Sequence, residues 1–339
     1  MVFELTDGLA KCPKENWRVL SICISNLLIG YYEGYLILTA SKPLCRFLKD
    51  KGLAAGLRES KALNYLENNN SYNPAVLWHI RVVLDSPDVS KHELDISFFT
   101  SVESILPSSF LCEHIIDIRF YMRQARMYYP YSPMKLIERC GGGGSTADVF
   151  KSIKKRNVVC LTILDSDCKY PGCLRPPKGS TAYRCKSCYK KPLANIELVV
   201  LPVHEIENLV PLSYMLQKTS ADGVNFLKRL EKHNMLDKLV FYDIKLGITK
   251  KDAQDSPELF EFAKDIYDVF FAKRQSFDSY FNHKKQNDHL HPAINPNLLG
   301  AYMGDNNRNC QSDMFDIYRK DIADIVHTFM CCRGDNPIN

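Results

Sequence analysis

The stretch that decides the fold is VVCLTILDSD, residues 158–167. Its first seven residues are almost unbroken apolar, with Val158, Val159 and Ile163 β-branched, and it ends abruptly at Asp165 and Asp167. Such a run, bounded by charge, predicts a strand buried on both faces of a parallel sheet. Sheets of this kind bind their ligands outside the carboxyl ends of the strands. Asp165 and Asp167 therefore stand where chemistry is expected. Two carboxylates there suit a hard cation, because Mg²⁺ takes one or two of them together with water and phosphate oxygens.

Around this strand the pattern alternates. Residues 109–112 form a short apolar strand ending in Glu113, and 116–128 follow at helical spacing. A second strand is predicted over 134–140, a helix over 146–156 and a further strand over 196–201. Alternation of this kind predicts βαβ units and a parallel sheet with right-handed crossovers. On either side the chain reads differently. Residues 1–105 are predicted as a mainly helical region, with long apolar helical patterns over 13–38 and 43–65, a loop at 68–71 and an ambiguous element at 78–84. Residues 213–339 are also predicted to be mainly helical, over 212–233, 257–281 and 312–330, with a polar loop at 282–297. The expected architecture is α/β, a parallel core at 106–212 flanked by helical parts.

Composition narrows the class. Of 339 residues, 45% are hydrophobic and 11% aromatic, ample for a core and unlike a disordered chain. The formal net charge of +5 decides little by itself. Thirteen cysteines and no signal-peptide pattern predict a reducing, cytoplasmic setting. The longest apolar stretch is broken by Arg18, Asn26 and Glu33, so no membrane span is expected.

The acids fall near strand ends. Glu113 and Asp117 follow the first predicted strand of the core, Asp165 and Asp167 the third, and Glu205 and Glu207 the fourth. Two carboxylates at about 4 Å repel by roughly 4 kcal/mol at an effective dielectric near 20. A bound cation or proton uptake would relieve that repulsion.

With EHIID, CGGGGSTADVF, ILDSD and HEIENLVP in this order, the stretch from about Phe110 to Pro211 resembles a TOPRIM domain, the metal-binding fold of topoisomerases, primases and certain nucleases. The variety is most similar to the overcoming-lysogenization-defect (OLD) type nucleases and related phage-defence effectors. Glu113 and Asp117 match the family's first acidic motif, with His114 in place of its glycine, and Asp165 and Asp167 match its D-x-D. The segment around Ile206 and Asn208 resembles the one that supplies a further metal-ligating glutamate, either Glu205 or Glu207. Lys245, in FYDIKLGI, matches the downstream catalytic lysine. The resemblance implies a Mg²⁺- or Mn²⁺-dependent nuclease acting on DNA or RNA in antiviral defence. Such nucleases often work with an ATPase. The run Gly141 to Gly144 lacks the lysine of a phosphate-binding P-loop, so an ATPase would be a separate chain.

Two further features surround the aspartates. Cys168, Cys173, Cys185 and Cys188 form C-x4-C-x11-C-x2-C, a candidate four-thiolate zinc site. Residues 168–191 also carry seven Lys or Arg and no acid, interleaved with Tyr170, Tyr183 and Tyr189. Basic and aromatic residues so mixed suit a nucleic acid, whose backbone they neutralise and whose bases they stack. The expected function is a metal-dependent nuclease. The alternative is a non-catalytic nucleic-acid-binding or regulatory protein built on the same domain.

Overall fold

The computed structural model describes residues 1–69, 79–173, 175–271, 275–305, 313–335 and 338. Asn70, Ser71, Trp78, Ala272, Lys273, Arg274 and Ser312, which belong to predicted elements, lie outside the described residues. The chain divides into two compact units. Met1–Ile163, Cys185–Val199 and Lys320–Asn339 make the first, and Leu164–Arg184 with Val200–Arg319 make the second. These units do not follow the three consecutive regions predicted from sequence.

The first unit opens on a sheet that the sequence did not reveal. Strands β1 (Val2–Leu5), β2 (Ile37–Ala40), β3 (Ile80–Val83) and β4 (Glu93–Asp95) pair in parallel in the order β2-β1-β3-β4. Helices α1 (Trp17–Tyr32), α2 (Lys42–Asp50) and α3 (Leu57–Asn68) lie between them in the chain. The mainly helical description of 1–105 left this sheet out, and the reason is local. The apolar stretch 13–38 changes from helix to strand at Gly34, whose φ of +74° is reversed cheaply only by glycine. A Cβ there would also stand 1.9 Å from the Gly334 carbonyl oxygen.

One face of this sheet packs Phe3 edge-on against Phe99, at 5.2 Å between ring centroids. The other carries a polar row across the strands. Arg81 reaches Glu93 at 2.6 Å and Glu4 at 3.6 Å, and His79 meets Glu4 at 2.8 Å. A cavity of about 630 Å³ opens beside this row, and none of the predicted site residues lines it.

The second sheet is the predicted one. Strands β5 (Ser109–Cys112), β6 (Ile137–Cys140), β7 (Cys160–Leu164) and β8 (Ile196–Val200) pair in the order β6-β5-β7-β8. Strand β5 is parallel to both neighbours. The Cys160 N–H donates to Asn195 O and the Leu201 N–H to Leu164 O, so β7 and β8 also advance in the same direction. Every residue of β7 is buried, as an apolar run without alternation requires. Helices α4 (Ile115–Tyr128), α5 (Thr146–Ile153) and α6 (Thr181–Cys188) lie in the connections. The chain thus runs twice through one topology, each time with the second strand outside the first and the third on its other side.

The second unit contains α7 (Leu212–Lys218), α8 (Ala221–Lys232), α9 (Lys250–Asp255), α10 (Pro257–Phe271), α11 (Phe277–His283) and α12 (Leu298–Gly304). Helix α13 (Asp316–Met330) begins there. A short antiparallel ladder joins β9 (Ile248–Thr249) to β10 (His289–His291), the latter within the stretch predicted as loop. The protein is mixed α/β with two parallel sheets. Among the described residues, no helix is long and apolar enough to cross a membrane.

Candidate metal centre

The chain leaves β7 at Leu164 and turns at once through Asp165, Ser166 and Asp167. Three hydrogen bonds fasten this turn to the segment that follows β8. Asp165 Oδ1 accepts the Ile206 N–H at 3.0 Å, Ser166 Oγ donates to Val203 O at 2.7 Å, and the Asp167 N–H donates to His204 O at 3.0 Å. Asp167 adopts φ +56°, a left-handed conformation that aspartate tolerates better than most side chains. HEIEN is therefore held against the end of β7 by backbone geometry.

Asn208, wholly buried, organises the other side. Its Oδ1 accepts the Glu205 N–H at 2.8 Å, and its Nδ2 donates to the carbonyls of Leu239 and Tyr242 at 2.5 and 2.8 Å. The His204 N–H donates to Val240 O at 2.7 Å. These bonds bring residues 239–245 beside 204–208. At the next bend Gly247, at φ +70°, passes so close to the backbone of 291–293 that a Cβ would come within 2.5 Å of His291 O.

The result is a buried charged group. Lys245 Nζ lies 2.9 Å from Glu205 Oε2 and 3.1 Å from Glu207 Oε2. Glu205 Oε1 accepts the backbone N–H of Ile244 at 3.0 Å and of Lys245 at 3.3 Å. Burial and the neighbouring Glu207 push the Glu205 carboxyl up to about 7, against the lowering effect of Lys245 and His204. Burial alone would lower the Lys245 pKa, but Glu205 and Glu207 more than offset it and hold the ammonium above its usual range. Asp243 lies alongside, with Oδ1 accepting the Leu246 N–H at 2.7 Å and Oδ2 3.6 Å from Lys169 Nζ. Burial raises its pKa, yet His204, the Leu246 N–H and Lys169 together keep it below the ordinary carboxylate value.

His204, Glu205 and Asp243 offer ligand atoms that all lie within 4.8 Å of one another, the one such set among the described residues. Their exposures are 4%, 5% and 5%. His204 Nδ1 is buried without a hydrogen-bond partner. Glu207 Oε2 is buried in charge contact with Lys245 but without hydrogen-bond geometry. A buried polar atom left unsatisfied costs about 1–3 kcal/mol. Imidazole nitrogen and carboxylate oxygen are ordinary ligands of divalent metals. The donor set therefore fits a cation.

Asp165, Glu205, Glu207 and Lys245 belong to one hydrogen-bonded and ion-paired assembly in the second unit, and Asp167 is fastened to it through its backbone. Glu113 and Asp117 belong to the first unit. Asp117 Oδ2 accepts the His114 N–H at 2.9 Å, capping the start of α4. The Gly run is a strand-to-helix turn, with Gly142 and Gly143 at φ +68° and +63°.

The four cysteines of the expected zinc quartet, Cys168, Cys173, Cys185 and Cys188, make local contacts. Cys168 Sγ donates to Cys173 O and Arg175 O, at 3.4 and 3.8 Å, and Cys188 Sγ to Cys185 O at 3.1 Å. Burial and the adjacent Cys173 push the Cys168 thiol up to about 12. Local carbonyls take up these thiols, and no cysteine belongs to the one converging ligand set among the described residues.

Of the interleaved tyrosines, Tyr189 is structural. Its ring packs edge-on against Phe150 at 5.7 Å and its hydroxyl donates to Ile196 O. Tyr183, Lys186, Lys190 and Lys191 remain exposed.

Two members of the centre, His204 and Asp243, were not singled out from the sequence. Both stood inside segments already of interest, one opening HEIEN and the other two residues before Lys245. Nothing local marked either as buried. No family model matches the chain, nor does any curated protein or solved structure.

Proposed function

We propose that the protein is a metal-dependent nuclease of TOPRIM type, hydrolysing phosphodiester bonds of DNA or RNA. The observation that carries this reading is the half-buried lysine held between two buried glutamates, Lys245 between Glu205 and Glu207, in the loops beyond the carboxyl ends of parallel strands. A divalent cation bound among the carboxylates of this centre would supply an activated water and neutralise charge on the phosphate.

The protein's own groups then divide the work. Lys245, kept protonated by its two partners, stands ready to offset charge that builds on the phosphate oxygens. Glu205, fixed through Oε1 by the Ile244 and Lys245 N–H groups, keeps its other oxygen available to the cation. The exposed Lys186, Lys190 and Lys191 provide sequence-independent attraction for a polyanion. A role in antiviral defence beside a separate ATPase rests on the sequence resemblance alone.

The test is incubation with plasmid, single-stranded DNA and total RNA, with Mg²⁺, with Mn²⁺ and with EDTA. Cutting of one substrate that needs the ion and is lost in Lys245→Met is the expected result. Binding without any cutting would favour the regulatory alternative.

A further inference from the structure

We infer that His204, Glu205 and Asp243 form a binding site for a first-row transition-metal dication, with Mn²⁺ and Zn²⁺ favoured over Mg²⁺. This deepens the function proposed above and rests on it for the ion's role, whereas the ion's binding is measurable without any cutting.

Three observations carry it. The ligand atoms converge within 4.8 Å. One ring nitrogen of His204 is buried with no hydrogen-bond partner, and the other lies 3.7 Å from Asp243 Oδ2, longer than a hydrogen bond. Buried polar atoms in folded proteins are nearly always paired, so an imidazole in this ligand set with neither nitrogen hydrogen-bonded points to a partner that the chain itself does not supply.

The third observation is preorganisation. Glu205 is fixed through Oε1 by the Ile244 and Lys245 N–H groups, and Asp243 through Oδ1 by the Leu246 N–H. Each carboxylate keeps its second oxygen for another cation. Those second oxygens now face ammoniums, Glu205 Oε2 meeting Lys245 and Asp243 Oδ2 meeting Lys169.

The donor types set the ion class. Mg²⁺ prefers six oxygens and keeps several waters, whereas an imidazole nitrogen suits transition-metal dications such as Zn²⁺ and Fe²⁺. The order of affinity then follows Zn²⁺ above Mn²⁺ above Mg²⁺. Entry of the ion displaces Lys169 from Asp243, so Lys169 acts as a resident competitor.

The experiment is titration of the full chain, stripped with EDTA, by Mn²⁺, Zn²⁺ and Mg²⁺ in a calorimeter, with pulsed EPR of the Mn²⁺-loaded protein. Expected are Mn²⁺ affinity at least tenfold above that for Mg²⁺ and a nitrogen coupling from a ligated imidazole. The coupling should vanish in His204→Gln, and Lys169→Ala should bind Mn²⁺ several-fold more tightly. If His204→Gln does not fold, the nitrogen coupling of the parent and the affinity of Asp243→Asn decide the matter. Equal affinity for Mg²⁺ and Mn²⁺, or Mn²⁺ bound without nitrogen coupling, overturns the site even if the protein cuts nucleic acid. Nitrogen-coupled Mn²⁺ in a protein that cuts nothing keeps the site and removes the nuclease.

Discussion

Lys245 grips both oxygens of Glu205. Its ammonium lies 2.9 Å from Oε2, and its backbone N–H donates to Oε1 at 3.3 Å. A side chain and a main chain from one residue thus fix a carboxylate that is 5% exposed. The same ammonium meets Glu207, so removing it strands two buried carboxylates together.

Lys245→Met should therefore destabilise the protein. Breaking a buried ion pair from one side costs about 3–5 kcal/mol, and the lysine's partial exposure reduces that to about 2 kcal/mol. Adding Glu207→Gln should recover part of the loss by removing one of the stranded charges. Urea unfolding of parent, single and double variants measures the coupling. Strict additivity would show that Glu207 and Lys245 do not interact.

Asp165 separates a structural duty from a chemical one. Its Oδ1 accepts the Ile206 N–H at 3.0 Å, and asparagine keeps that acceptor. Asp165→Asn should then melt within about 0.5 kcal/mol of the parent yet lose cleavage, whereas Asp165→Ala should also lose about 1 kcal/mol. Equal melting of the Asn and Ala variants would show that the bond to Ile206 carries no stability.

Gly247 tests how the loop bearing Asp243 and Lys245 is seated. Its φ is +70°, and the His291 carbonyl oxygen lies 2.5 Å from where a methyl group would stand, which leaves no room for a side chain. Gly247→Ala should cost about 2 kcal/mol or more and weaken ion binding at the same time, because the loop must withdraw from 291–293. A stable variant with parental ion affinity would show that the loop adjusts freely.

His291 predicts an acid sensitivity independent of the candidate centre. Burial pushes its pKa down to about 4 from 6.5, although its Nε2–H donates to Ala263 O at 2.8 Å, which opposes the shift. The unfolded chain takes up this proton as pH falls through 6.5, and the folded chain does so only near 4. The contribution is therefore fully present above pH 6.5 and fades between 6.5 and 4, by about 1.4 kcal/mol per pH unit and about 3 kcal/mol in all. In His291→Gln the dependence of unfolding free energy on pH should flatten by up to one proton across that window. An unchanged slope would mean that His291 charges freely inside the fold.

The sequence by itself determined the second sheet and the places of its acids. An apolar run without alternation is a local signature of a strand covered on both faces, and β7 met it at Cys160–Leu164. The acids that follow β7 and β8 sit near strand ends because polar residues terminate buried strands. The first sheet was hidden because β2 continues the apolar composition of α1, and only the left-handed turn at Gly34 separates them.

Tertiary structure alone decided which charged groups converge. The centre depends on hydrogen bonds across gaps of 31 to 41 residues, from Asn208 to Leu239 and from Ile206 to Asp165, whose partners no spacing rule connects. Those bonds bury His204 and Asp243 beside Glu205 while Asp117 caps a helix in the other unit. Burial is what turns an ordinary histidine and aspartate into ligand candidates, since it removes the water that would otherwise satisfy them. That depends on neighbours from distant parts of the chain, which residue identity and spacing do not encode.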